Sequence, residues 1–160
     1  MQIAALMPFA DWDYYYVDGD TLSWKPNPWQ KFDAVEVPDG FVTDLTSIPR
    51  TFWQVVRPEG RYAYAAVIHD YLYWTQTRTR WEADEIFKFA MADSKVNPKI
   101  LTAVHNAVSR FGQAAWDENA RRKKRGECRV LRYKPRGLIV SWSEWRTTPM
   151  NFGDSNCRWN

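Results

Sequence analysis

The hydrophobic pattern of this chain changes its period near residue 45, and this change limits the available folds more than any other feature. Before that point, short runs of aromatic and β-branched residues are separated by glycine, proline and aspartate, a pattern typical of short antiparallel strands. After residue 61, apolar residues recur at three- and four-residue steps, the period of an amphipathic helix. The pattern therefore predicts an α+β fold, with a small antiparallel sheet at the front and three main helices behind it.

Turn residues mark the boundaries of the predicted strands. Gly19 and Asp20 separate two of the runs, which are expected to pair as a hairpin. Pro38, Asp39 and Gly40 predict a second turn, because proline presets φ and glycine accepts a left-handed backbone. The predicted strands are residues 2–8, 14–17, 21–24, 34–37 and 41–43, with two further candidates at 129–133 and 138–142.

Capping signals mark the predicted helices. Ser47, followed by Pro49, is a candidate N-cap for a short helical piece, and residues 61–74 form a compact apolar helix. Thr79 and Glu82 form a capping box in front of an apolar stripe. Asn97 and Pro98 start the most regular helix of the chain, which is expected to run on into a basic stretch.

The length of 160 residues suits a single domain, which we expect over residues 1–118, followed by a basic C-terminal extension over 119–160 packed on the domain or on a partner. Residues 121–136 contain nine Lys and Arg against the single acid Glu127, a net charge of +8 in a chain whose total is +3. With only Tyr133 interleaved, the stretch lacks the stacking pattern of a single-strand nucleic-acid binder. Nucleic acid is therefore not the favoured partner, although this charge leaves it open.

The remaining composition excludes several classes. No run approaches the ~18 apolar residues of a membrane span, and no basic residue precedes the short apolar N-terminal stretch, so neither a membrane span nor a signal peptide is expected. The 10 Trp, 8 Tyr and 8 Phe are an unusually large set, suited to a small core or an interface. Cys128 and Cys157 allow one disulfide, but two separate thiols are the expectation for a protein made in the cytoplasm.

The first candidate site segment is residues 37–50. Here a predicted strand leads directly into a helix start and brings Asp44, Ser47 and Arg50 within a few residues. Strand ends and helix N-termini are places where polar side chains converge on ligands. Helix capping by Asp44 or Ser47, with Arg50 paired for structural reasons, explains the same residues equally well.

The second candidate segment is residues 65–73, where His69 and Asp70 adjoin near the end of an apolar helix. Imidazole and carboxylate form a common metal-binding or acid–base pair, whereas a helix-end histidine beside a solvated acid is the structural alternative. Asp84 lies one position off its helix stripe, where a solvated acid is the simpler interpretation. His105, at the edge of an apolar face, is expected to be a packed histidine and not a ligand.

These residues allow two hydrolytic mechanisms. Ser47, His69 and an aspartate supply the types of a catalytic triad, but Ser47 lacks the G-x-S-x-G turn that exposes a nucleophile. Alternatively, Asp44, His69, Asp70 and Asp84 could ligate a divalent Mg, Mn or Zn ion. We rank metal-assisted hydrolysis above the serine mechanism, with His69, Asp70, Ser47 and Arg50 as the catalytic candidates.

Four motifs in order resemble the domain-of-unknown-function family numbered 1353. They are V-P-x-G-F-x-T-D-x-x-S-I-P-R, A-A-V-x-H-D-Y-L-Y, A-D-x-x-F-x-x-A-M and A-V-x-x-F-G, at residues 37–50, 65–73, 83–91 and 107–112. The resemblance implies an origin in tailed bacteriophages or prophages but no established activity. The hallmark positions that it implies are Asp44, Ser47, Pro49, Arg50, His69, Asp70, Tyr73 and Asp84.

Two classes of function follow. The first is a virion-associated structural or accessory protein, with the tail as its expected place, made in the host cytoplasm. Its expected partners are other phage structural proteins, further copies of itself or the bacterial envelope. In this class the hallmark polar residues lock the fold by buried hydrogen bonds. The second is a small metal-dependent or acid–base hydrolase acting on peptidoglycan, the barrier that a tailed phage must cross.

Overall fold

The structure is a computed structural model that describes residues 4–45, 51 and 61–154. Two of the predicted site residues, Ser47 and Arg50, and the predicted short helix at 47–49 lie outside these residues. The described part is an α+β arrangement in which short antiparallel strands precede the helices, as the hydrophobic period predicts.

The strands form two small antiparallel sheets. Strands β1 (Ala5–Pro8), β2 (Tyr15–Asp18) and β5 (Val42–Thr43) form one sheet with β2 in its centre. Strands β3 (Leu22–Trp24) and β4 (Val35–Val37) form the other. The predicted hairpin between the second and third runs is therefore wrong, because β1 and β5 occupy both edges of β2 and leave none for β3.

Helix α1 (Arg61–Thr75) passes through the centre of the main core. Its alanines, including Ala65 and Ala66, are fully buried, and their small side chains let neighbouring elements approach the helix closely. Helix α2 (Arg80–Asp93) packs against α1 and begins with the predicted capping box at Thr79. Helices α1 and α2, which both contain hallmark positions, therefore lie side by side.

Helix α3 (Pro98–Phe111) starts at Asn97 and Pro98 as predicted, but it does not run on into the basic stretch. Gly112 ends it, and a separate helix α4 (Gln113–Lys124) follows. The sequence does not predict this break, because the helical pattern continues on both sides of it and Gly112 is the only residue between α3 and α4 that disfavours a helix.

The chain after α4 packs against the front sheet. Val130 bridges to Phe41, and Leu131 bridges to Phe152, so the first predicted C-terminal strand, at 129–133, reduces to isolated bridges. Part of the second candidate instead enters a short helix, α5 (Trp142–Trp145), which Ser141 caps, and a 3-10 turn (Pro149–Asn151) follows. Leu131, Trp142 and Phe152 join front-sheet residues in a second small core.

Cys128 belongs to this second core and is disulfide-bonded. The expectation of two separate thiols is therefore wrong for Cys128. Within the described residues, no helix has the length and apolar character needed to span a membrane.

Candidate functional site

Three hallmark side chains meet between α1 and α2. His69 and Tyr73 lie one turn apart on α1 and therefore share a face, and Asp84 projects towards them from the first turns of α2. The Tyr73 hydroxyl donates a hydrogen bond to Asp84 Oδ1 over 2.7 Å, and His69 Nε2 lies 2.9 Å from the same oxygen. All three side chains are buried. We call His69, Tyr73, Asp84 and Arg80 the Asp84 network.

The electrostatics of the network indicate an ionised Asp84. Arg80, one turn earlier on α2, donates from Nη1 to Asp84 Oδ2 over 3.0 Å and thereby supplies the opposite charge. An ionised carboxylate only accepts hydrogen bonds, so the proton between His69 and Asp84 belongs to His69 Nε2. Burial, and next the hydrogen bond to Asp84, raise the pKa of the Tyr73 hydroxyl well above its ordinary value. Tyr73 is therefore a permanent donor at physiological pH.

Aromatic packing fixes the His69 ring within this network. The ring stacks on Phe87 at a centroid distance of 4.6 Å and lies 4.1 Å from the Tyr73 ring. Trp116 packs edge-to-face with Tyr73 at a centroid distance of 5.1 Å. The surroundings leave little rotational freedom to His69 or Tyr73, so both donors stay aimed at the carboxylate of Asp84.

The fourth family motif contributes Gly112, which packs closely against the Tyr73 hydroxyl. A Cβ built at Gly112 would overlap the Tyr73 hydroxyl and would lie 2.6 Å from the Val108 carbonyl oxygen. Because φ at Gly112 is −69°, close packing and not backbone conformation is the reason for glycine here. The glycine that ends α3 thus makes room for the donor that holds Asp84.

Asp70 binds the other hallmark segment. Its Oδ2 accepts from Thr43 Oγ1 over 2.5 Å and from the Leu45 backbone N–H over 2.9 Å. Leu45 has a φ of +54°, a left-handed conformation that costs about 1 kcal/mol or more for a bulky residue. The two hydrogen bonds to Asp70 hold the chain in this bend at the end of β5.

Asp44 lies in a separate ionic cluster with residues from the C-terminal part of the chain. Its Oδ2 accepts from Arg122 Nη1 over 3.2 Å and from Arg129 Nη2 over 3.4 Å. Arg129 also binds Glu127, with Nε 2.7 Å from Oε1. We call Asp44, Arg122, Glu127 and Arg129 the Arg129 cluster.

Arg129 is a fully internal arginine. Its guanidinium lies over the rings of Tyr14 and Trp74, at 5.3 and 5.0 Å from their centroids. Burial alone would lower the pKa of Arg129, but Asp44 and Glu127 outweigh that effect and raise the pKa above its ordinary value. Stacking on aromatic rings and pairing with two carboxylates suit a buried guanidinium, which is planar and weakly hydrated, better than a lysine ammonium. The segment after α4 is therefore fastened to the body by a buried charge.

The structure brings some of the predicted site residues together and separates others. His69 and Asp84 share a hydrogen bond, whereas Asp70 binds Thr43 and Asp44 belongs to the Arg129 cluster. Among the residues that the structure describes, no group of three or more His, Cys, Asp or Glu side chains is placed to hold a metal ion. The catalytic and metal roles remain predictions.

Two interpretations of single residues need correction. Asp84 is buried and ion-paired, so the interpretation as a solvated acid is wrong. Although Asp84 lies one position off the apolar stripe of α2, its carboxylate still reaches the hydrogen-bond donors on α1. His105 is only partly buried and binds Glu85, with Nε2 3.0 Å from Oε1, so it is a bridge between α3 and α2 and not a core residue.

Sequence reasoning missed Arg80, Gly112 and Arg129. Arg80 carried a signal, since it stands four residues before Asp84 on a predicted helix, the spacing of an ion pair. Gly112 carried a weaker one as the end of the fourth motif. Nothing local distinguishes Arg129 from its basic neighbours, because its burial depends on residues 85 and 87 positions earlier in the chain.

The basic stretch is largely neutralised within the chain. Glu118 accepts from three arginines of α4 and its end, and Lys134 binds Asp18 and Asp39. The Glu118 side chain is about one-third exposed, so solvent weakens its ion pairs. Several of the cations that make up the charge of +8 are therefore paired with the protein's own acids.

Comparisons with known proteins agree with the motif pattern. The chain matches the family described as "Protein of unknown function (DUF1353)" over residues 23–108. It is 32% identical over 102 residues to a protein of Sinorhizobium fredii (strain NBRC 101917 / NGR234) described as "Uncharacterized protein y4jT". That match covers 62% of this chain and 27% of the relative, so the chain spans about a quarter of the relative's length. No solved structure matches the chain.

Proposed function

The chain belongs to the DUF1353 family of proteins of unknown function, and we propose that it is a virion-associated protein of a tailed bacteriophage. It would act as a structural or accessory component, with the tail as its expected place, after synthesis in the host cytoplasm. The observation that supports this proposal best is the burial of the Asp84 network: polar residues of the family motifs bind one another inside the protein. Such a network specifies one packing of the helices.

The exposed surface is consistent with a protein that binds other proteins. Several large apolar side chains are exposed, and aromatic anchors of this kind dominate protein–protein contacts. The exposed set comprises Trp12, Trp29, Trp81, Phe111, Tyr133, Leu138, Ile139 and Met150. Partners of this class are other phage structural proteins or further copies of the chain, with the bacterial envelope as a third candidate.

The test of this proposal is association with purified particles. A phage that carries the gene is grown, and its virions are separated from free protein by density-gradient centrifugation before mass spectrometry. We expect the protein at a constant copy number per particle through successive gradients. Its presence only in the soluble fraction of the lysate, with virions free of it, would reject virion association.

A second candidate function is a hydrolase acting on peptidoglycan, and one observation favours it. A buried carboxylate that holds one nitrogen of an imidazole is the arrangement that orients a histidine general base, and Asp84 holds His69 Nε2 in this way. In this candidate His69 is the base and Asp84 its positioning partner. Asp70 and a divalent Zn, Mg or Mn ion remain the further components predicted from the sequence. The burial of His69 is the reason that this candidate ranks second.

The hydrolase is tested with purified peptidoglycan and the purified protein, supplied in turn with Zn²⁺, Mg²⁺ and Mn²⁺. Release of soluble fragments is compared among wild type, His69→Ala and the matched control His105→Ala, whose histidine binds Glu85 outside the network. Activity that His69→Ala loses and His105→Ala keeps supports the hydrolase. Equal fragment release by all three proteins, or none by the wild type with any ion, rejects it.

A further inference from the structure

A solvent-exposed groove lies between the loop after β3 and the start of α2, and its lining includes no member of the Asp84 network or the Arg129 cluster. Its volume is about 540 Å³, large enough for a small ligand. The loop side supplies Gln30, Lys31, Phe32 and Asp33, and the helix side supplies Thr77, Arg78 and Glu82. No family motif includes the loop side, and neither function proposed above uses the groove.

One end of the groove carries an exposed aromatic surface. The Phe32 ring contacts Trp81 at a centroid distance of 6.2 Å and Phe89 at 6.0 Å. Trp81 remains 65% exposed and Trp29, next to Gln30, is 73% exposed. Such exposure departs from the usual burial of tryptophan, and Trp81, through its contact with Phe32, provides a flat apolar face beside the groove.

The walls of the groove are held in place before any ligand arrives. Arg78 Nη2 donates to the backbone carbonyls of Asp33 and Ala34, both at 3.1 Å, and so ties the loop to the helix start. The Gln30 side chain accepts from the Asn27 backbone N–H over 2.6 Å. A site whose backbone is already ordered loses less entropy when it binds.

The polar groups of the groove balance in charge and offer both donors and acceptors. The lining contains two cations, Lys31 and Arg78, and two anions, Asp33 and Glu82. The side chains of Lys31 and Asp33 form no hydrogen bond or ion pair with the part of the chain that the structure describes, so both are available to a ligand. This balance does not favour polyanions such as nucleic acid or polycations as occupants.

From these features we propose that the groove binds a neutral oligosaccharide. A pyranose ring presents C–H groups on its faces and hydroxyls around its edge. The C–H faces match the electron-rich faces of Trp81 and Phe32. The hydroxyls both donate and accept, so they suit a lining that contains both the Asp33 carboxylate and the Lys31 ammonium. The inference does not depend on virion association, and a failure of either leaves the other in place.

The test is binding of neutral hexasaccharides to the full chain by isothermal titration calorimetry and saturation-transfer NMR. The probes are hexa-N-acetylchitohexaose, cellohexaose and maltohexaose, at concentrations up to about 1 mM, where weak binding is measurable. Heparin is included as a polyanionic probe. We expect at least one hexasaccharide to bind, with saturation transfer to the faces of its sugar rings.

Variants decide whether the binding takes place in the groove. Trp81→Ala is expected to weaken the binding about tenfold or more, as the loss of an aromatic anchor does, and Asp33→Asn several-fold. Trp12→Ala is the matched control, because Trp12 is 56% exposed on the loop between β1 and β2. The proposal is overturned if no hexasaccharide binds, if Trp81→Ala and Trp12→Ala bind equally well, or if only heparin binds. Circular dichroism of Trp81→Ala checks that the variant is folded.

Discussion

The Tyr73 hydroxyl occupies the space that any side chain at position 112 would need. The same hydroxyl donates to Asp84, so a glycine at the end of α3 controls a hydrogen bond between α1 and α2. Three helices thereby depend on one contact, and three of the four family motifs contribute to it. The motifs are far apart in sequence because the network joins separate helices.

Gly112→Ala should displace the Tyr73 hydroxyl from Asp84. We expect the free energy of unfolding to fall by about 1–3 kcal/mol, the usual penalty for overpacking a tight site. Urea denaturation measures this change. Gly153→Ala is the control, since its Cβ would meet only the Val130 carbonyl oxygen at 4.0 Å, and it should change stability by less than about 0.5 kcal/mol.

Tyr73→Phe combined with Gly112→Ala tests whether the two residues act through the same contact. Removing the hydroxyl makes room for part of the new methyl group, so the double variant should lose less stability than the sum of the single losses. The Val108 carbonyl still opposes the methyl group, so relief is partial. Additive losses in the same denaturation experiment would show that the hydroxyl and Gly112 are not in contact.

Asp84→Asn should be among the most damaging single changes. The amide keeps the size of the side chain but removes the charge that Arg80 pairs with and one acceptor facing the donors from His69 and Tyr73. We expect a loss of about 3–5 kcal/mol, typical of breaking a buried ion pair, measured by thermal and urea unfolding. Asp20→Asn, at an exposed position, should be nearly neutral; a similar effect of both would contradict the network.

Arg129→Met should release the C-terminal segment from the body. The change leaves Glu127 buried without its cation, and a loss of about 3–5 kcal/mol is expected. Limited proteolysis and hydrogen exchange should show earlier cleavage and faster exchange in residues 130–154. Arg132→Met, at an exposed neighbouring position, should leave the proteolysis pattern unchanged. Equal protection in the two variants would mean that Arg129 does not fasten this segment.

Alkaline pH should destabilise the protein partly through Tyr73. Its pKa is raised in the folded state above the ordinary value of 10.0, first by burial and then by Asp84. Its contribution to stability is therefore fully present below about pH 10 and declines as the pH rises further, by up to about 1.4 kcal/mol per pH unit. In urea titrations between pH 9 and 11.5, Tyr73→Phe should show a shallower decline than wild type. Parallel curves would argue against the buried tyrosine.

Thr43→Val should weaken the link between the two hallmark segments. The valine removes the hydroxyl that donates to Asp70 while keeping the shape of the side chain in the buried β5 position. We expect a loss of about 1–3 kcal/mol, the range for a hydrogen bond to a charged group. Thr43→Ser keeps the hydroxyl and should lose less. If serine and valine destabilise equally in urea, packing and not the hydrogen bond is responsible.

Local signals were sufficient for several elements. The capping box at Thr79 and the Asn97–Pro98 pair both start helices where predicted, because the side chain and the backbone that it caps lie within three residues. The pairing of β2 was not predictable in the same way. A short strand of tyrosine and valine can pair along either edge. Which strands lie beside those edges is decided by the tertiary structure.

The candidate site also combines features that the local sequence predicts with features that only the tertiary structure sets. The sequence by itself determined that His69, Asp70 and Asp84 would be unusual, because charged and polar groups stand beside apolar helix stripes without an obvious structural need. Only the tertiary structure decided that Asp84 joins His69 and Tyr73, that Asp70 instead holds the bend at Leu45, and that Arg129 becomes internal. Helix caps and hydrophobic periodicities depend on residues close together in the chain, so a short stretch of sequence is enough to predict them. The partner of a buried charge is set by which elements pack together, and no short stretch of sequence contains that information.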